Sequence, residues 1–162
     1  MNYYNEIKSK ILKCEIYDKI KNYSKDRNKI KNYFEIGKIL SEAGKEYGKN
    51  IIKEYSNKLT IEIGKKYNER NLRYMRKFYE LFVNQNWNTM CSNLTWSHYR
   101  EVLSLGNFNE IKYYLEECEN KNLSVRELHF KIKTKEYERL DEETKKKLKN
   151  KEELKVPDLV KN

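Results

Sequence analysis

Apolar residues recur along this chain at helical spacing and almost never alternate as they would in strands, so the pattern predicts a succession of helices. Tyr4, Ile7, Ile11 and Cys14 form the stripe of a first helix, from about residue 4 to residue 23, broken near Ser24-Lys25-Asp26. Ile30, Tyr33, Phe34, Gly37 and Leu40 mark a second, expected to end at Gly44. Gly37 sits on that apolar stripe. An interior helical glycine costs about 1 kcal/mol, so its presence implies that another backbone approaches closely there. The third helix, roughly 48–63, offers Ile51, Ile52, Tyr55, Leu59 and Ile63 to the core. Gly64 is the expected C-terminal cap, Lys65-Lys66-Tyr67 a short turn, and Asn68 the N-cap of a fourth helix. Helix, tight turn and helix together have the sequence form of a helix-turn-helix unit.

The fourth helix, NERNLRYMRKFYELF from Asn68 to Phe82, carries the sharpest division of faces. At about 100° per residue, Leu72, Met75, Phe78, Tyr79 and Phe82 share a third of the circumference, and Arg70, Arg73 and Lys77 gather opposite them. One face packs; the other is cationic. Further on, Thr95 is placed to cap a helix whose Trp96, Tyr99 and Leu103 read as core, and Phe108, Ile111, Leu115 and Cys118 form a stripe flanked by Tyr113 and Tyr114. Ser124-Val125-Arg126-Glu127 is a capping box, with Leu123 and Leu128 as its hydrophobic staple. It predicts a long C-terminal helix from Val125. Because the stripe thins after Ile132, the second half of that helix is expected to project, leaving Tyr137 and Leu140 as partly exposed interaction anchors.

The fold class that follows is all-α: a compact multi-helix domain over 1–140 with a helix-turn-helix-like unit and a long C-terminal helix, then a charged tail over 141–162. In that tail seven lysines face six acidic residues, which suits a frayed helix and a linker.

Five blocks carry a family resemblance: YFEIGKIL from Tyr33, EYGKNIIKEYSNKL from Glu46, RNLRYMRKFY from Arg70, LTWSHYREVL from Leu94, and SVRELHFKIKTKEYERL from Ser124. In this order they resemble the amino-terminal domain of the YhcG-like nuclease family (domain of unknown function 1016, amino-terminal type). The resemblance implies a helical, helix-turn-helix-like domain that usually precedes a PD-(D/E)xK endonuclease. Two departures stand out. An insertion common in the family after the IG-containing helix is shortened here to Ser41-Glu42-Ala43-Gly44, and the chain stops at Val160-Lys161-Asn162, about where the nuclease would begin. Such a nuclease needs carboxylates and a lysine on adjoining strands to hold a divalent metal beside an activated water. Glu153-Leu154-Lys155 and Pro157-Asp158 echo that motif in the wrong order within a charged tail. No enzyme activity is expected of this chain.

Charge sharpens the picture. There are 35 basic and 25 acidic residues, a formal net charge of +10, which favours polyanionic partners. Lysine, asparagine, isoleucine and tyrosine are all favoured by AT-rich codons, so placement says more than the total. Between Gly44 and Asn86 ten basic residues stand against five acidic ones, and Arg70, Arg73 and Arg76 share one helix. Arginine is the fork-shaped donor suited to phosphates and guanine edges.

Other chemistry is thinly represented. Cys14, Cys91 and Cys118 are odd in number and widely spaced, so they read as buried thiols rather than a disulfide framework or a zinc site. His98 and His129 lack ligand-spaced partners. Ser97 and His98 lie about 100° apart on a helix and cannot share a proton in the line a nucleophile needs. No cofactor or metal is indicated. With no apolar run long enough for a signal peptide or a membrane span, the expected location is cytoplasmic.

The leading expectation is therefore a non-catalytic DNA-binding module resembling the targeting domain of YhcG-like nucleases, either joined to a nuclease domain or standing alone on a mobile element such as a phage. If the unit docks as the resemblance implies, Lys65 and Lys66 bind phosphates, Arg70 forks onto guanine, Asn71 pairs with adenine, and Arg73 and Lys77 reach the flanking backbone. RNA stays open as the polyanion, and a homodimer is expected because two half-sites double the contact. The alternative is a protein-interaction module that regulates or inhibits a bacterial or phage defence complex.

Overall fold

The computed structural model describes residues 2–19, 25–85 and 94–149. Among them there is no strand, and the helices pack as two compact units, residues 1–87 and 88–162. The boundary falls inside the stretch 1–140 expected as one domain. Cys91 and the Glu153-to-Asp158 echoes lie outside the described residues.

The first unit contains α1 (Tyr3–Lys19), α2 (Lys25–Tyr47), α3 (Ile51–Glu62), a single 3-10 turn (Lys65–Tyr67) and α4 (Glu69–Phe82). The middle of the unit is α2, which packs against α1 on one side and, most extensively, against α4 on the other. Its buried arc is accordingly wider than the single stripe expected: Ile36, Ile39 and Ala43 join Ile30, Tyr33 and Leu40 in the core. Where α4 crosses, Gly37 meets bare backbone. A Cβ on Gly37 would lie 2.1 Å from the Met75 carbonyl oxygen and 2.9 Å from Tyr79 Cβ, so any side chain would force the helices apart. Phe34, one turn before, packs its ring against Phe78 at 5.8 Å and Tyr79 at 5.2 Å. The close approach expected of Gly37 is thus its role.

Gly44, in contrast, does not end α2. The helix runs on to Tyr47, and the chain reverses at Gly48, whose φ of 88° belongs to the left-handed region that glycine adopts without a Cβ penalty. Gly44 is an ordinary interior position, with nothing within 4 Å of the place a Cβ would take. Gly64 likewise lies in extended backbone, although its amide still closes the end of α3 on the Leu59 carbonyl at 3.2 Å.

The second unit contains α5 (Trp96–Val102), α6 (Phe108–Lys121), α7 (Val125–Lys133) and α8 (Glu142–Lys149). The core face of α5 is His98, Tyr99 and Val102, followed by Leu103, whereas Trp96 is only partly buried. Ile111, Leu115 and Cys118 of α6 are buried as expected, and so are both Tyr113 and Tyr114. Burial pushes the Cys118 thiol up to about 12, which suits an inert packing residue. The Ser124 box forms, with Ser124 Oγ accepting from Glu127 N at 3.1 Å and Glu127 returning to Ser124 N at 3.4 Å.

The helix that this box starts is short, contrary to the long one expected. It stops at Lys133 because Lys135 takes a positive φ of 57° and the Glu136 amide returns to the Lys131 carbonyl at 3.2 Å. The reversal brings Tyr137 beneath α6: its amide donates to Tyr114 Oη at 3.0 Å, and its ring lies 5.5 Å from that of Tyr113. Tyr137 and Leu140, expected as partly exposed anchors, are therefore buried within their own unit at 9% and 4% exposure. An apolar ring gains more by folding back onto tyrosines than by projecting into water.

The glycines make a paired test. Gly37→Ala should lower stability by about 2 kcal/mol or more from overpacking, against the roughly 1 kcal/mol that alanine gains in an open helix interior. Gly44→Ala should show that gain unopposed, with the urea unfolding midpoint of the full chain moving up rather than down.

Candidate nucleic-acid interface

The basic side chains singled out above are set by the turn before α4 and by α4 itself. Tyr67, at the end of the turn, is almost fully buried, and its hydroxyl donates to the Glu15 carboxylate on α1. Burial first, and that carboxylate second, push its ionisation far above the ordinary tyrosine value, so it remains a neutral anchor. With Tyr67 held inside, the adjoining Lys65 and Lys66 are turned out into solvent.

Asn68 then caps α4, its Oδ1 accepting from Asn71 N at 3.0 Å. The same asparagine ties back to the turn through Nδ2 and the Lys65 carbonyl at 3.2 Å. Asn71 repeats the device: its Nδ2 donates to the Lys66 carbonyl at 2.6 Å. One N–H of the Asn71 amide is engaged this way, and it ties the turn to the helix.

Leu72, Met75, Phe78 and Phe82 seal the back of α4 against the unit's core. Asn68, Glu69, Arg70, Arg73, Tyr74 and Lys77 wall a shallow, open depression on its front. Arg70 is exposed and lies along Tyr74, its guanidinium carbon 5.6 Å from the ring centre and Nη2 3.3 Å from the hydroxyl. Arg73 grips Glu69 with Nη2 at 2.7 Å and Nε at 3.0 Å, both side chains being more than a third exposed. Such i,i+4 pairs on a solvated helix are worth only about 0.3–0.5 kcal/mol, so the pair orients Arg73 without consuming it. Arg76 and Glu80 pair nearby at 3.6 Å.

The structure thus brings Arg70, Arg73 and Lys77 to one side of α4, with Glu69 as the carboxylate among them, and leaves Lys65 and Lys66 exposed in the turn before it. Sequence reasoning missed two supporting residues, Tyr74 and Glu69. Both were legible in principle, since Arg70 and Tyr74, like Glu69 and Arg73, stand four apart on a helix.

Elsewhere, the Ser97-His98 pair is accounted for structurally. Thr95 N donates to His98 Nδ1 at 3.2 Å, so Nδ1 carries a lone pair and Nε2 carries the proton, which it donates to the Leu123 carbonyl at 2.9 Å. Nδ1 thus closes the N-terminal cap of α5, and Nε2 ties α5 to the residue before the α7 cap. His129 bonds Glu101 at 2.9 Å across the same pair of helices. Among the described residues, no three His, Cys, Asp or Glu side chains cluster so as to hold a metal, and no helix is long and apolar enough to cross a membrane.

The family model of the DUF1016 N-terminal domain matches residues 7–139. The chain belongs to the DUF1016 N-terminal domain family. The match takes in most of the chain and all five resembling blocks save the final Leu140, and it runs through both units. No curated protein and no solved structure matches the chain.

The cap supplies a local test. Asn68→Ala removes the Asn71 cap and the tie to Lys65 together, and it should cost about 1 kcal/mol in urea unfolding with little loss of total helicity by circular dichroism.

Proposed function

We propose that this DUF1016 N-terminal domain is a non-catalytic DNA-binding module, in which α3, the turn and α4 act as a helix-turn-helix and α4 is the recognition helix. The observation that carries the reading is the outward cationic face of α4 and its turn, presented by a helix whose opposite side is clamped to α2. Phosphates would be bound by Lys65, Lys66, Arg73 and Lys77, and Arg70 is the residue placed to fork onto a guanine edge. Glu69 fits this role as well. It holds Arg73 extended in the free protein and yields it to a phosphate, whose hydrogen bonds with a guanidinium are charge-assisted and bidentate.

Residues sealed into the back of α4 support the reading through geometry alone: they give the basic face a fixed phase on the helix, as groove docking requires. The module would serve as the targeting half of a nuclease or act alone on a mobile element, the two settings that the family resemblance implies.

Titration of the full chain with a fluorescent duplex at increasing salt tests the proposal. Affinity should fall steeply, with log K declining by about 0.9 per neutralised phosphate in log salt. Arg70→Glu combined with Arg73→Glu should weaken binding at least about tenfold and flatten the salt slope by about 1 to 2. Binding that ignores salt, or that the double variant retains in full, would refute the assignment.

A further inference from the structure

On the first unit, away from the basic face in sequence, four tyrosines gather from three helices: Tyr3 and Tyr4 at the start of α1, Tyr47 at the end of α2, and Tyr55 in α3. We propose that the open groove they line is a docking site for an arginine or lysine side chain presented by a partner protein. This is a second site, independent of the DNA reading, and its chemistry is opposite in sign.

The rings are inclined to one another rather than stacked. Tyr3 and Tyr47 meet edge to face at 6.2 Å and 78°, and Tyr4 and Tyr55 lie tilted at 5.6 Å and 51°. Rings held this way present π faces from different directions, the arrangement that attracts a cation within about 6 Å of a ring centre. The chain already uses this chemistry: Lys58 Nζ sits 5.3 Å over the Tyr4 ring. Tyr47 is 58% exposed, a large aromatic surface left facing solvent at the mouth of the groove.

Two carboxylates stand beside the rings as acceptors for a cation. Glu54 lines the groove, and Glu46 accepts from Tyr3 Oη at 2.8 Å. Their field is felt by the phenols. The hydrogen bond to Glu46 pushes Tyr3 up to about 12, and the charge of Glu46 is the first cause raising Tyr47. Tyr55 is raised by burial first and then by neighbours that include Glu54 and Glu46. A guanidinium would find carboxylate acceptors beside aromatic faces. Asn2 and Asn50 add amides at the rim, and the depression, about 730 Å³, has room for a long side chain with its flanking peptide. A protein segment is the occupant that combines such a cation with backbone groups for those amides. Lys58 then acts as a resident cation that the incoming one displaces.

Calorimetric titration of the full chain with the peptide Ac-Gly-Gly-Arg-Gly-Gly-amide tests this, using the same peptide with neutral citrulline in place of arginine as its control. The arginine peptide should bind about tenfold or more tightly than the citrulline one, since the recognised feature is the charge. Tyr47→Ala, at an exposed position that leaves the core intact, should weaken the arginine peptide about threefold, and Glu54→Gln should weaken it comparably. Lys58→Gln, which removes the competing cation, should strengthen it. No arginine binding, equal binding of the citrulline peptide, or weaker binding after Lys58→Gln would each overturn the proposal. So would loss of duplex-DNA affinity in Tyr47→Ala, because that would make the groove part of a polyanion surface.

Discussion

The contact between Gly37 of α2 and the backbone of α4 at Met75 sets the geometry on which the first unit depends. With no Cβ in the way, two helices approach until one touches the carbonyl of the other. Phe34, Phe78 and Tyr79 then close around the crossing, and Phe82 extends the cluster, its ring 4.9 Å from that of Phe78. A helix held by both backbone contact and interlocked rings cannot rotate without breaking close packing. The cationic residues on its far side consequently point outward as a set.

Around that crossing the unit is also tied by polar contacts, and Lys10 meets Glu35 at 2.6 Å between α1 and α2. Tyr67 and Glu15 pin the turn before α4 to α1, Asn68 and Asn71 knit the turn to the helix, and Lys8 and Glu62 bridge α1 to α3 at 2.6 Å. In the second unit the ties are more deeply placed. Lys131 meets the buried Glu136 at 3.0 Å, and the buried Glu117 is engaged by Lys121 at 2.7 Å. Buried carboxylates are costly unless paired, so the Lys131–Glu136 bridge, which spans the end of α7, specifies where the chain turns more than it adds stability.

Much of the helical content was legible because it rests on short-range chemistry. The caps at Asn68 and Ser124 depend on residues three positions away, and the stripes of α1, α4 and α6 depend on a period of 3.6. Gly37 was legible for a different reason: a glycine on an apolar stripe is a cost with few uses other than close approach. What failed involved choices between neighbours. Two glycines were available to end α2, and the one chosen was Gly48, where the backbone turns left-handed. The stretch after Ile132 reads equally well as helix or as reversal until Tyr113 and Tyr114 are present to receive Tyr137. The tie from Asn71 to the Lys66 carbonyl, five residues back, follows from how the turn enters the helix and has no sequence signal of its own.

By itself, then, the sequence determined helix class, the N-caps at Asn68 and Ser124, the amphipathic phase of α4 and the family, all of which follow from residue identity and local spacing. Tertiary structure alone decided which side chains stay available. The basic residues of α4 lie within three turns of one helix and could be read together, but Tyr3, Tyr4, Tyr47 and Tyr55 become one groove only when three helices fold against each other. Burial of Tyr137 and Leu140 was decided the same way. Periodicity describes one helix at a time, and a surface shared between helices depends on distances that no single period contains.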